Sequence, residues 1–137
     1  MIVVDASVLT DVLLERHVAV AALRRELVGR EHEQLSAPQV IDPETLNALR
    51  KLVLRGSVTS RRATEAVSDL GKFRLIRYPH ELLVPRMWEL RDRLTAYDAA
   101  YVALAEVLGD AVLLTADRGM ATAARRLLGK ESVRLLA

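Results

Sequence analysis

Four acidic residues have surroundings that point to chemistry rather than to a solvated surface. Asp5 directly follows the β-branched run MIVV, and Asp117 follows the apolar segment AVLLT by two residues. Glu44 and Asp98 each lie near the beginning of a segment with helical spacing. In an open parallel α/β sheet, side chains at the carboxyl ends of strands gather along the edge where ligands bind, and helices that leave this edge begin beside it. The four acids are therefore predicted to meet in one place.

A cluster of carboxylates needs something that offsets its own charge. Two carboxylates about 4 to 6 Å apart repel each other by about 1 to 4 kcal/mol, so either one of them is protonated or a cation lies between them. Carboxylate oxygens and water are the ligands that magnesium and manganese ions prefer. Such an ion lowers the pKa of a water molecule and neutralises a phosphate, which is the chemistry of phosphodiester hydrolysis.

The segment LTAYDAAYVALAE, residues 94–106, makes this hypothesis more specific. Residues three and four positions apart share one face of a helix, so Asp98 shares a face with Tyr101 and Val102. That face is apolar, and a carboxylate on it needs a partner. Helix capping is the alternative for each acid, and here Thr95 and Asp98 fit the S/T-x-x-D/E pattern. Capping does not explain an acid at the start of so apolar a helix, so Asp98 is predicted to be a metal ligand.

Short apolar runs alternate along the chain with segments of helical spacing. The predicted strands are MIVVD, EQLSAP, FRLIRYP, AVLLT and SVRLL, and the predicted helices are SVLTDVLLE, VAVAALRRELVG, DPETLNALRKLVLRG, residues 59–70, 80–93 and 97–108, and RGMATAARRLLG. In the third helix, Asp42 is expected to be the N-cap, with Pro43 at the first helical position and Gly56 beyond the end. The alternation predicts an α/β fold with a mostly parallel sheet of four to five strands, covered by helices on both faces.

Length and composition limit the classes of protein that fit. A chain of 137 residues, 51% of them hydrophobic, is expected to form a single domain, residues 1–137. It has no cysteine, so a metal would be held by oxygen or imidazole. The sequence lacks a signal peptide and an uncharged apolar run of about 18 residues, so no membrane association is expected and the protein is predicted to be cytoplasmic. A net charge of +2, with several arginine pairs, permits a polyanionic partner.

Other chemistries have little support in the sequence. The histidines are scattered and are not spaced for a zinc site or a catalytic triad: His17, His32 and His80. No G-x-G-x-x-G or P-loop motif is present, which argues against nucleotide binding of those types. Trp88, Tyr97 and Tyr101 could stack on bases, but their helical spacing beside apolar residues favours core positions.

The four acids lie in the blocks IVVDAS, APQVIDPETLNALRKL, LTAYDAAYVALAE and LLTADRGMA. These blocks resemble the acidic blocks of PIN-domain ribonucleases, and they occur in the order and at the spacing of that family. Within the family the chain looks most like the VapC toxins of type II toxin–antitoxin systems, and the likeness covers essentially the whole chain. The resemblance implies a PIN-like three-layer α/β/α fold.

The resemblance also implies roles for individual residues. Asp5 and Asp98 match the acids that bind the metal ion most directly in this family. The other matching positions are the pocket acids Glu44 and Asp117 and the neighbouring hydroxyl residues Ser7 and Thr115. Asp42 lies two residues before Glu44, so either acid could be the pocket member, and the E-x-x-N-A-L pattern favours Glu44.

By the same resemblance, the expected activity is endonucleolytic cleavage of RNA with Mg²⁺, for which Mn²⁺ could substitute. The expected partners are a cognate VapB-type antitoxin and a second copy of the chain in a homodimer. The block TADRGMA lacks the extra acid that some other PIN domains carry, which leaves open whether one or two metals bind. The alternative is a catalytically weak PIN-fold module that binds RNA or an antitoxin.

Overall fold

The central sheet of the protein is parallel throughout. The computed structural model describes residues 1–30 and 32–136. In this part of the chain the strands are β1 Ile2–Val4, β2 Leu35–Pro38, β3 Leu75–Tyr78, β4 Val112–Thr115 and β5 Val133–Leu135. Their order across the sheet is β3-β2-β1-β4-β5, and each neighbouring pair is parallel. The predicted sheet of four to five mostly parallel strands is confirmed.

Helices cover both faces of this sheet and give the fold three layers. They are α1 Ala6–Leu13, α2 His17–Leu27, α3 Ile41–Leu54, α4 Ser60–Lys72, α5 Val84–Glu89, α6 Ala96–Leu108 and α7 Arg118–Leu128. Helix α1 contacts α2, α3 and α4, while α6 contacts α5 and α7. None of the described helices combines the length and apolarity required to cross a lipid bilayer.

The core lies where α6 packs against the middle of the sheet. Ile2, Val3 and Leu113 are fully buried, and so is every residue of α6 from Ala99 to Ala105. A helix that is apolar on all sides is a buried helix, and the alanines of α6 allow it to lie close to β1, β2 and β4. The apolar composition of this segment is therefore explained by its position in the core.

Two helix predictions differ from the structure. The predicted helix over residues 80–93 is a 3-10 turn, Glu81–Leu83, followed by the short α5, which ends before Leu90. Leu90 and Leu94 are nevertheless buried, so the apolar spacing reflects core contacts rather than a continuous helix. Of the aromatic residues expected in the core, Tyr101 is buried, whereas Trp88 and Tyr97 are exposed.

The beginning of α3 also differs from the prediction. The helix begins at Ile41, and Asp42 is a residue of its first turn rather than its N-cap. The Asp42 carboxylate instead accepts two hydrogen bonds from the guanidinium of Arg77 on β3, from Nε at 2.7 Å and from Nη2 at 2.9 Å. The predicted glycine after the helix is confirmed, because Gly56 has a φ of 75°, which favours glycine.

Strand order determines which edge of the sheet can form a site. The chain turns from β1 to β2 on one side of the sheet and later places β4 on the other side of β1. The carboxyl ends of β1 and β4 therefore flank the switch point, where open α/β sheets bind ligands. The backbone N–H of Asp5 extends this pairing by donating to the carbonyl of Leu114 at 3.2 Å. Asp5 thus lies at the switch point.

The Asp42–Arg77 pair yields a first testable prediction. The two side chains share two hydrogen bonds, and each side chain is about one-third exposed. Asp42→Asn should therefore lower the free energy of unfolding by about 1 kcal/mol. Urea unfolding followed by circular dichroism measures the change, and the m-value should stay the same. In an Arg77→Gln background, the Asp42→Asn substitution should have a much smaller effect; an undiminished effect would show that the pair contributes nothing.

Candidate active site

Asp5 is the one acid among the described residues whose side chain is buried, with 6% exposed. It follows β1 and caps α1, where its Oδ1 accepts hydrogen bonds from the backbone N–H of Val8, at 3.0 Å, and from the Ser7 hydroxyl. Its Oδ2 accepts a hydrogen bond from the Thr115 hydroxyl. These donors make a buried carboxylate tolerable. Because each carboxylate oxygen has two lone pairs, Oδ2 keeps an acceptor position for a further partner.

Ser7 and Thr115 join the carboxyl ends of β1 and β4. Besides donating to Asp5, the Ser7 Oγ accepts a hydrogen bond from the backbone N–H of Ala116 at 2.9 Å. The Thr115 Oγ1 donates to Asp5 and accepts from the backbone N–H of Asp117 at 3.0 Å. The two hydroxyls therefore fix the position of Asp5 relative to the residues that follow β4. Both lie beside the acids, at the positions expected from the sequence.

Asp117 begins α7 at the same edge. Its Oδ1 accepts a hydrogen bond from the backbone N–H of Met120 at 2.9 Å, so the residue is the N-cap of the helix. A Cβ at Gly119 would lie 3.3 Å from this oxygen, so glycine leaves the carboxylate room. The capping role that the sequence left as an alternative is therefore present in the structure. It uses one oxygen of an exposed carboxylate and leaves the other for a second role.

Glu44 reaches the site from the first turn of α3 and is held by a tyrosine of α6. The hydroxyl of Tyr101 donates to Glu44 Oε1 at 2.6 Å. Tyr101 itself is only 1% exposed, so the position of its hydroxyl is fixed by the packing of the core. This contact joins residues 57 positions apart in the chain. It connects the carboxylate of Glu44 to the same helix that carries Asp98.

Asp98 lies half-buried in the first turn of α6. The helix is capped by Thr95, whose Oγ1 accepts a hydrogen bond from the backbone N–H of Asp98 at 3.2 Å. The positive end of the helix dipole favours an acid at this position. Behind it the buried residues of α6 begin at Ala99. Asp98 therefore marks the boundary between the core helix and the polar edge of the sheet.

The four acids influence one another electrostatically. Burial is the largest cause that raises the pKa of Asp5, of Glu44 and of Asp98. The charge of Asp98 further raises the pKa of Asp5 and of Glu44, and the charge of Asp117 raises the pKa of Asp98. Hydrogen bonds from Ser7, Thr115 and Tyr101 act in the opposite direction without reversing the net shift. Asp98 is thus the acid that interacts with all three of the others.

The donor atoms of this site suit a hard divalent cation. All are carboxylate oxygens, and at least one oxygen each of Asp5, Glu44 and Asp117 retains an acceptor position. Within residues 1–30 and 32–136, no three acidic or histidine side chains lie close enough together to ligate one ion as placed. Magnesium in proteins commonly uses only one or two carboxylates and keeps several waters, so the acidic edge fits such an ion.

A cavity of about 540 Å³ opens beside the acids. Glu44, Asp117 and Ser7 line one part of it. Most of the remaining lining residues come from α1 and α3, and two of them are cations: Lys51 of α3 and Arg55, which directly follows α3. Neither cation was expected from the sequence to belong to the site, although their spacing from Glu44 indicates the shared helix face.

Two further differences from the sequence predictions concern individual residues. Asp42, the alternative to Glu44, is paired with Arg77 and does not line the cavity. Tyr101 was assigned to the core alone, whereas its hydroxyl also holds Glu44. The available signal was its position three residues after Asp98, on the same face of the helix.

The fold and the acidic site together define a member of the PIN-domain family. The model of that family, described as "PIN domain", matches residues 2–126. The chain belongs to this family, and its similar proteins place it with the VapC type.

Several known proteins are similar to this chain over most of its length. It is 40% identical to "VapC ribonuclease Mb0985" from Mycobacterium bovis, over 85% of this chain and 86% of that protein. It is 39% identical to "Ribonuclease VapC1" from Mycobacterium tuberculosis, over 88% of this chain and 89% of the relative. Among solved structures, PAE2754 from Pyrobaculum aerophilum superposes with a TM-score of 0.63 at 27% identity, covering 96% of this chain and 81% of that one.

The raised pKa of Asp98 yields a prediction for the protein in EDTA. Because the pKa of Asp98 is higher in the folded protein, folding favours its protonated form. The resulting contribution to the free energy of unfolding is complete below the unfolded-state pKa of about 4 and is lost as the pH rises through the folded-state pKa. At pH 7 the ionised carboxylate therefore opposes folding. Asp98→Asn should leave the thermal unfolding temperature unchanged or raise it, and the exposed Asp69→Asn on α4 serves as the control. A clear loss of stability would assign Asp98 to helix capping instead.

The Tyr101–Glu44 contact yields a second prediction. Tyr101→Phe removes the hydroxyl that donates to Glu44, so unfolding in urea should become easier by about 1.5 kcal/mol, as for hydrogen bonds to charged groups. If the contact causes the loss, Tyr101→Phe should cost clearly less in a Glu44→Ala background. Equal losses in both backgrounds would attribute the effect to packing of the ring.

Proposed function

We propose that this protein is a metal-dependent endoribonuclease that acts as the toxin of a type II toxin–antitoxin pair. Two comparisons with known proteins support the proposal. The chain belongs to the PIN-domain family, and its relatives with 39% and 40% identity are named as VapC ribonucleases. The chain spans 86% and 89% of the length of these relatives, so most of each relative has a counterpart here.

The observation that carries the proposal is the electrostatic interaction among four acids from distant parts of the chain. They come from the ends of β1 and β4 and from the first turns of α3 and α6. The effects of these acids on one another's pKa support the proposal that Asp5, Glu44, Asp98 and Asp117 form one site. Capping accounts for Asp5 and Asp117 individually, but it does not account for Glu44 and Asp98 beside them.

Each site residue is proposed to have a separate task. Asp5 and Asp98 hold the metal ion, because both are removed from bulk water and Asp98 interacts with each of the other acids. Glu44, held by Tyr101, and Asp117 orient the water and the scissile phosphate. Ser7 and Thr115 hold Asp5 in position and, by donating hydrogen bonds to it, partly offset the rise in its pKa that burial causes.

The proposed ion is Mg²⁺, with Mn²⁺ able to replace it. When bound, the ion supplies neutralisation of the phosphate charge and a lower pKa for the attacking water. The protein contributes an all-oxygen donor set, which selects against softer metals. It also holds the donors before the substrate arrives, through the hydrogen bonds to Asp5 and Glu44.

The assembly of the protein is proposed from its family. A VapB-type antitoxin is the expected inhibitor, since the relatives are of the VapC type. A homodimer of single-domain chains, each formed by residues 1–137, is the proposed state of the toxin. Exposed apolar side chains such as Leu82, Val84 and Trp88 provide surface for such contacts.

Substitution of the acids tests the proposed activity directly. Asp5→Asn and Asp98→Asn should each lower kcat for cleavage of single-stranded RNA in Mg²⁺ by about 100-fold or more, the scale expected for loss of an electrostatic contact in the transition state. Cleavage of a labelled RNA under single-turnover conditions measures the rate. The exposed Asp69→Asn serves as a matched control and should cleave like the unmodified protein.

Undiminished cleavage by either site variant would reject the assignment of the acids. RNA binding by the unmodified protein without cleavage in Mg²⁺ or Mn²⁺ would favour the alternative of a catalytically weak binding module. Far-ultraviolet circular dichroism of each variant establishes that it is folded.

A further inference from the structure

One face of α3 runs from the acidic edge along the cavity. Glu44, Ala48, Lys51 and Arg55 are separated by four, three and four positions. Arg55 directly follows the last residue of α3 and keeps helical backbone angles, so all four lie on the same side of the helix. All four line the cavity of about 540 Å³, as does Asn47. The acidic site and the two cations therefore belong to a single continuous surface.

The two cations on this face are available for a partner. Lys51 and Arg55 are both exposed, and within the described part of the chain neither forms an ion pair. Across the cavity, Asp11 of α1 is paired with Arg16 at 2.7 Å, so its charge is already compensated. The neighbouring Arg50 lines a different groove, between α3 and α4. Lys51 and Arg55 thus present two uncompensated positive charges to the cavity.

We propose that Lys51 and Arg55 bind backbone phosphates of single-stranded RNA on one side of the cleavage site. The inference rests on the proposed ribonuclease function and identifies the binding surface for its substrate. Cations hold a nucleic acid through its phosphates without reading its sequence. The cavity joins these cations to the acids that would cleave the chain, which favours the substrate over an acidic protein as the occupant.

The length of the helix face matches a short stretch of RNA. At a rise of 1.5 Å per residue, Lys51 lies about 10 Å and Arg55 about 16 Å along the axis from Glu44. A stacked strand advances about 3.4 Å per nucleotide, so the two cations meet phosphates roughly three and five nucleotides from the scissile bond. Asn47 and Ala48, between the acids and Lys51, provide an amide and an apolar surface for the intervening nucleotides.

A binding experiment with a charge-matched control tests this surface. Fluorescence anisotropy measures the affinity of an Asp98→Asn protein, which should not cleave, for a labelled 12-nucleotide single-stranded RNA in EDTA over a series of KCl concentrations. Adding Lys51→Gln with Arg55→Gln should make the negative slope of log affinity against log salt shallower by about 1.4, and should weaken binding roughly 25-fold at 0.1 M KCl. Adding Arg24→Gln with Arg25→Gln, two exposed arginines of α2, removes the same charge and should change affinity less than about twofold.

Kinetics of the cleaving protein provide a second measurement. With Asp98 intact, Lys51→Gln with Arg55→Gln should raise KM and leave kcat nearly unchanged, because the contacts are made equally before and in the transition state. Unchanged affinity and KM in a protein that cleaves RNA would overturn the inference and leave the proposed function standing. Equal losses in the two double variants would also overturn it, since they would reflect net charge alone. Salt-dependent binding through Lys51 and Arg55 without any cleavage would support the surface and reject the nuclease.

Discussion

Repulsion between carboxylates at the carboxyl edge of the sheet is the constraint on which the site depends. Asp98 raises the pKa of Asp5 and of Glu44, and Asp117 raises that of Asp98. The fold holds these groups together by giving three of them fixed donors: the Ser7 and Thr115 hydroxyls, helix N–H groups and the Tyr101 hydroxyl. The free energy gained by burying α6 and the middle strands offsets the repulsion between these carboxylates.

The same carboxylates begin helices and form the candidate active site. Asp5 and Asp117 accept hydrogen bonds from backbone N–H groups of the helices that they cap. Capping and metal binding are compatible, because a carboxylate has two oxygens and several lone pairs. The capping bond also restricts the rotamer of each acid, so the site is arranged before a metal or substrate arrives. A local structural role for an acid is therefore no argument against a catalytic one.

Helix α3 connects the acidic site to the surface proposed to bind RNA. Its first turn divides two neighbouring acids between different tasks: Asp42 pairs with Arg77, while Glu44 accepts from Tyr101. Lys51 in its last turns and Arg55 directly after its end line the same cavity. Every phosphate of an RNA chain is negative. A phosphate can therefore lie beside the acids only if a metal cation compensates their charge, whereas Lys51 and Arg55 can contact other phosphates directly. The mixed charge of the cavity is therefore consistent with one substrate bound along its length.

The amino-acid sequence by itself determined the alternation of strands and helices and the places of the four acids at their ends. Those features are local: MIVV and AVLLT are buried strands by composition, and an acid after a strand of a parallel sheet must lie at its carboxyl edge. Tertiary structure decided what depends on distant residues, namely that β1 lies between β2 and β4 and that Tyr101 holds Glu44. It also decided that residues 80–93 form a turn and a short helix, because burial of Leu90 and Leu94 outweighed helical spacing. Periodicity identifies which side chains face inward, but only the packed chain selects their partners.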